Sequence, residues 1–157
     1  MRTPLTRLRN FVTLARNDPG LILLAGRCYV LLILMRGVIT VWPLSRITRH
    51  LGEHSSETAL DGVTSEQMRF ARRVRWTIRR IAHWTPTNSN CYPQALTAKY
   101  LLKRRRIPST VYYGAAFADD GQELETHVWI RCGPTIVTGA PAHRRFAVVS
   151  KFADTPA

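Results

Sequence analysis

An α+β fold is predicted for this chain by a single change of pattern. Apolar residues recur at helical spacing as far as about Arg106, and from Ser109 onward they fall into short β-rich runs separated by turn residues. Helices followed by an antiparallel meander is an α+β order. A chain of 157 residues, 45% hydrophobic, supports one core of ordinary size rather than two. The reading is therefore one compact unit with a helical N-terminal extension and linker over residues 1–63 and a main domain over residues 64–157.

The elements follow in order. Leu5, Leu8, Phe11, Val12, Leu14 and Ala15 share a helical face. Asp18 as N-cap and Pro19 at the first helical position then start a second helix, which Pro43 stops after Trp42. Arg27 and Arg36 interrupt its apolar run, and no uncharged stretch reaches the roughly 18 residues of a spanning helix. A buried or interfacial helix is the reading, with a peripheral membrane contact through its apolar face and cationic flanks as the alternative.

Leu44, Ile47 and Leu51 suit a short third helix ended by Gly52, and Glu53 to Val63 has no apolar period and reads as a loop or disordered linker. Thr64 with Gln67 forms a capping box ahead of an apolar stripe of Met68, Ala71, Val74, Ile78, Ile81 and Ala82. A further helix runs from Cys91 to about Arg106, where Pro108 ends it. Its final Lys103-Arg104-Arg105-Arg106 run is first of all a set of cations at a helix C-terminus, favoured by the macrodipole, and secondly a binding patch. Four β runs follow, STVYYGAAF, LETHVWIRC, TIVTG and RFAVVSKF.

The net charge of +13 predicts a surface field attracting acidic peptides, anionic head groups or polyanions. No zinc finger, aromatic RNA-binding signature or recognition helix accompanies it, so no nucleic-acid partner is predicted. Three cysteines without a CxxC pair build neither a disulfide framework nor a zinc site, and the first 17 residues lack a secretory pattern. A reducing cytoplasm, with no cofactor and no metal, is expected.

The chemistry concentrates at Cys91. Asn88, Ser89 and Asn90 are N-capping types directly before it, and Pro93 is tolerated only in a first turn, so Cys91 starts a helix. A thiol there meets unpaired backbone N–H groups and the positive end of the helix dipole, which favours the thiolate and provides donors for an oxyanion. His127 lies in a strand whose Leu124, Val128 and Ile130 alternate onto one face, leaving Glu125, His127, Trp129 and Arg131 on the other. A cysteine on a helix and a histidine on a strand meet only through the fold, as nucleophile and base do in cysteine–histidine enzymes. Cys28, in an apolar helix, and Cys132, at a strand end, read as packing residues. His50, His54 and His83 read as surface or cap residues, with His143 in a loop that can approach the site.

These motifs carry a resemblance. The run from Cys91 to Pro108 (CYPQALTAKYLLKRRRIP), then Tyr113-Gly114-Ala115, then Thr126-His127-Val128-Trp129-Ile130, then Val137-Thr138-Gly139, resembles the transglutaminase-like leader peptidases of lasso-peptide biosynthesis, in their stand-alone form without a fused leader-recognition domain. The resemblance implies a transglutaminase-like or papain-like core over residues 64–157, with Cys91 as nucleophile and His127 as general base and acid. It also implies a precursor peptide as substrate, a separate leader-recognition protein and a macrolactam-forming cyclase as partners. Where many relatives place an Asp twelve residues after the histidine, this chain has Gly139. Asp119, Asp120, Glu123 or a backbone carbonyl are then the groups left to orient His127, and Glu125, two residues along the same strand, is the least suited. A non-catalytic peptide- or partner-binding module of the same fold is the alternative function.

Overall fold

The computed structural model describes residues 18–86, 89–118 and 121–154, so the helix predicted over Leu5 to Ala15 lies outside the described residues. The first described helix, α1 (Pro19–Val41), starts as its capping residues dictate: Asp18 Oδ1 accepts from Leu21 N–H at 3.1 Å, and Pro19 occupies the first turn. Such a cap contributes about 1 kcal/mol. Leu21, Leu24, Ala25, Cys28 and Leu32 form its buried face, which packs on α3 (Ser65–Ile81) and α4 (Cys91–Lys103). Its outer face exposes Ile22, Leu23, Val30, Leu34 and Val41. Among the described residues α1 is the one helix long and apolar enough to cross a membrane. The following α2 (Leu44–Thr48) buries Ile47, and Leu51 is buried just beyond it.

The segment 53–63 is more than a linker. Glu53–His54 form a two-residue strand, β1, paired with the end of β5 (Ala147–Ala153) through Glu53↔Ala153 and His54↔Phe152. Both side chains are exposed, so backbone pairing forms here without any apolar alternation to announce it. Further on, Thr58 is buried, its N–H donating to Thr110 Oγ1 at 3.0 Å and its hydroxyl lying 2.9 Å from the same atom.

The capping box of α3 is complete, with Thr64 N–H bonding Gln67 Oε1 at 3.0 Å and Gln67 N–H bonding Thr64 Oγ1 at 3.2 Å. A single-turn 3-10 helix, Ala82–Trp84, prolongs it. α4 ends at Lys103, three residues before the predicted end, and Arg106 adopts a left-handed φ of 53° before the chain enters the sheet. Within the basic run, Lys103 Nζ donates to the His50 carbonyl at 3.1 Å and Arg105 lies 3.9 Å over the Phe70 ring. Those contacts favour the structural reading of the run.

Four strands follow: β2 (Thr110–Phe117), β3 (Leu124–Cys132), β4 (Thr135–Thr138) and β5. The five-stranded antiparallel sheet has the order β1-β5-β2-β3-β4. Only β2, β3 and β4 make the predicted meander. β5 instead crosses to the far side of β2, pairing from Thr110↔Ala153 to Ala115↔Ala147 with a register shift at Tyr113/Gly114. That crossing also brings in β1, giving a wider sheet for the helices to cover. Leu32, Val74, Ile78, Leu102, Val111, Ile130 and Val137 are fully buried between α1, α3, α4 and the sheet. Each large apolar side chain so buried contributes about 1.5–3 kcal/mol.

Two charged groups sit inside. Lys99, 2% exposed, bonds Asp154 at 2.7 Å and the Ser109 carbonyl at 2.9 Å, holding α4 to the chain leaving β5; burial pulls its pKa down. Arg131 donates to the carbonyls of Thr58 (2.7 Å) and Gly133 (2.8 Å), to Tyr112 Oη (2.8 Å) and to Glu57 (2.9 Å). Glu57 also accepts from Lys151 at 2.8 Å and from Tyr112, and these two hydrogen bonds hold its carboxyl down to about 2. A depressed folded-state pKa stabilises above the unfolded value and loses that stabilisation as pH falls through the folded one. Unfolding free energy is therefore expected to drop between pH 4.5 and about 2. Glu57→Gln should flatten that limb in denaturant titrations, and an identical acid limb in the variant would count against the network.

Candidate active site

Cys91 is the first residue of α4, half-buried, with Pro93 in the first turn and Ala95, Ala98 and Leu102 carrying the buried face behind it. Asn90 occupies the N-cap position, but its side chain makes no capping hydrogen bond. The first-turn N–H groups are thus not consumed by that cap. Ser89 is held instead by its neighbours: its carbonyl accepts from Gln94 Nε2 at 2.6 Å, and its hydroxyl lies 2.6 Å from Thr85 Oγ1. Tyr92 is pinned by Tyr113, whose hydroxyl donates to Tyr92 Oη at 3.1 Å, with the rings edge to face at 5.7 Å. Burial raises the pKa of both phenols, so this contact stays neutral.

His127 owes its exposure to a short neighbour. β4 stops at Thr138, opposite Ile130, so β3 runs on through Val128 and His127 without that partner. The face it shares with Trp129 and Arg131, the one opposite Leu124, Val128 and Ile130, is largely closed. Trp129 is 4% and Arg131 7% exposed, because Tyr112 stacks on the indole at 5.4 Å and 9°. The imidazole itself stacks on Phe146 at 5.0 Å and on Trp129 at 5.9 Å. Gly114, opposite His127 in the sheet, makes this closure possible, since a Cβ there would lie 2.6 Å from the Trp129 ring and 2.8 Å from Phe146 Cβ. Ring orientation is therefore set by packing on both sides.

The third group is a main-chain oxygen. His127 Nε2 is 2.9 Å from the Gly139 carbonyl. A carbonyl only accepts, so Nε2 carries the proton and, in the neutral ring, Nδ1 is left as the base. The same oxygen accepts the His143 N–H at 3.1 Å, which uses both of its lone pairs. Gly139 has φ +87°, and a Cβ at this position would sit 2.4 Å from Trp129 Cβ and 3.0 Å from His127 Nε2. Glycine is required twice over, by the left-handed backbone and by the close approach. Of the carboxylates considered from sequence, Asp119 and Asp120 lie outside the described residues, Glu123 makes no bond to the imidazole, and Glu125 pairs with Arg145 at 2.9 Å.

Cys91 and His127 line one cavity of about 280 Å³, together with Arg75, Arg79 and His83 from the α3 side and Val137, Thr138 and Gly139 from the β4 side. The Thr138 hydroxyl is buried beside it without a hydrogen-bond partner among the described residues. The other cysteines are fully buried, their thiols pushed up by burial to about 12 for Cys28 and about 11 for Cys132, which suits packing and not chemistry. His143 does approach the site, its ring 6.0 Å from Trp129, and burial, then Arg144 and His127, hold its pKa down. His54 meets Ser150 on the opposite side of the sheet order.

Reasoning from sequence left a backbone carbonyl open as the partner of His127 without identifying that of Gly139, and it missed the Trp129–Phe146 clamp and the basic wall. Only the last left a trace, in Arg75, Arg79 and His83 recurring every four residues beside the apolar stripe of α3.

Against curated proteins and against solved structures the chain finds no match. A family model does match: the transglutaminase-like superfamily, over residues 34–151. That span begins inside α1 and takes in α4, all of β2, β3 and β4, and most of β5, and the superfamily includes enzymes of the cysteine-peptidase type. With three quarters of its length matched and an α+β architecture of helices on an antiparallel sheet, the chain belongs to the transglutaminase-like superfamily.

Proposed function

We propose that this chain is a cysteine peptidase that removes the leader from a ribosomally synthesised precursor of the lasso-peptide type, with Cys91 as nucleophile and His127 as base and acid. The observation that carries the reading is the cavity shared by Cys91 and His127, at whose edge the Gly139 carbonyl holds His127 Nε2–H and leaves Nδ1 for the thiol proton. In this mechanism the Cys91 thiol passes its proton to Nδ1 and Sγ attacks the scissile carbonyl. First-turn N–H groups of α4 stabilise the resulting oxyanion. The imidazolium then protonates the leaving amine as the C–N bond breaks, and His127 deprotonates the water that hydrolyses the thioester, returning the proton to sulfur.

The precursor, a separate leader-recognition protein and a macrolactam-forming cyclase come from the likeness of the Cys91 and His127 motifs to lasso leader peptidases. A specific observation favours a second reading. With Gly139 at the usual carboxylate position, the fold suits a module that binds a peptide without cutting it. Incubating the purified chain with precursor peptide and leader-recognition protein, followed by mass spectrometry, separates them. Two fragments that together weigh one water more than the precursor are expected. Intact precursor that the chain nonetheless retains would sink the peptidase and leave the binding module.

A further inference from the structure

The wall facing Cys91 carries charge that the chemistry above does not use. Arg75, Arg79 and His83 succeed one another at four-residue intervals along α3 and its 3-10 extension, and all three line the cavity that Cys91 and His127 line. No Asp or Glu is among the described residues that line the cavity. Arg75 is half-buried, and its guanidinium donates to the Ile136 carbonyl of β4 at 2.7 Å, which holds it against the wall and leaves further N–H groups free to donate. Arg79 is exposed and meets no carboxylate among the described residues. Like charges four apart on a helix disfavour it, and among the described residues no carboxylate pairs with either arginine to offset that cost.

We infer that the cavity beside Cys91 holds an anion subsite in which Arg75 and Arg79 receive a carboxylate, that of an Asp or Glu side chain flanking the scissile bond. The substrate's identity as a peptide rests on the peptidase reading, whereas the anion site itself does not. A planar guanidinium presents paired donors that match the two carboxylate oxygens, and two of them in a partly enclosed site concentrate an anion beside the sulfur. The requirement on substrate is therefore for negative charge near the cut, on the side of the cleft formed by α3.

Alkylation of Cys91 tests the site without any knowledge of the natural substrate. Iodoacetate and iodoacetamide react at the same sulfur and differ in charge, so the ratio of their rates reads the local potential. The full chain is used and the Cys91 peptide is followed by mass spectrometry, Cys28 and Cys132 being buried. At low salt the iodoacetate-to-iodoacetamide ratio is expected to fall about tenfold in Arg79→Gln and in Arg75→Gln, the ratio cancelling any change in the thiolate fraction of Cys91. Arg79→Lys should keep the parent ratio. Arg72→Gln, an exposed arginine of the same helix outside the cavity lining, removes one charge elsewhere and should leave the ratio alone.

Equal ratios in the parent, Arg75→Gln and Arg79→Gln overturn the subsite, and so does an equal fall in Arg72→Gln, which would assign the effect to overall charge. A ratio that responds as expected in a protein that cleaves no peptide keeps the anion site and removes the peptidase reading.

Discussion

Cys91→Ala is expected to lower single-turnover cleavage of the precursor by about 10⁴- to 10⁶-fold while the melting temperature stays near that of the parent. The size follows from the loss of the proposed nucleophile, the one cysteine among the described residues that line the cavity. The fold is spared because Cys91 is half-buried at a helix start and its deletion opens no core cavity. His127→Ala should cost a comparable factor in turnover. Removing the imidazole does not orphan the Gly139 carbonyl, which keeps the His143 N–H, but it does remove the ring packed between Phe146 and Trp129. Some destabilisation is expected with that variant and not with Cys91→Ala. Processing at the parent rate by either protein would end the peptidase assignment.

Gly139→Asp is expected to impair the proposed cleavage, although it installs the carboxylate that the resemblance to lasso leader peptidases implies at this position. Position 139 sits at φ +87°, where a side chain costs about 1–2 kcal/mol, and its Cβ would lie 2.4 Å from Trp129 Cβ. The backbone must move, and the carbonyl that orients His127 moves with it. In serine proteases, loss of the group that holds the correct histidine tautomer costs about 10⁴ in turnover. A drop of about 10² to 10⁴ in kcat is therefore expected, together with a lower melting temperature. Gly139→Ala should show the same sign by the same steric route. Turnover equal to or above the parent in Gly139→Asp would mean that the carboxylate restores what the carbonyl supplies, and that the left-handed backbone is not required.

The helices were legible because their boundaries are set by neighbours in sequence. Asp18 with Pro19, Thr64 with Gln67, and Pro93 within one turn of Cys91 each act over three or four residues, and each start lies where those residues place it. Termination was less legible: Lys103 closes α4 ahead of Arg106 because the chain must reach β2, a demand made by the sheet and not by the helix. β1 left no signal, since its two exposed residues pair only through the backbone with a strand nearly a hundred residues on. The crossing of β5 past β2 was hidden for a related reason, as alternation reports which face a residue takes and not which strand lies beside it.

What the sequence by itself determined is a set of local placements: Cys91 at a helix start, His127 on a strand, and an α+β order belonging to the transglutaminase-like superfamily. Only the tertiary structure decided that the two residues line one cavity, that a main-chain carbonyl holds the imidazole, and that Arg75 and Arg79 face the same space. The physical reason lies in the nature of the groups. Caps and periodicities are written in side chains close together along the chain, whereas a peptide carbonyl is identical at every residue and acquires a role only when folding brings a ring nitrogen within 2.9 Å of it.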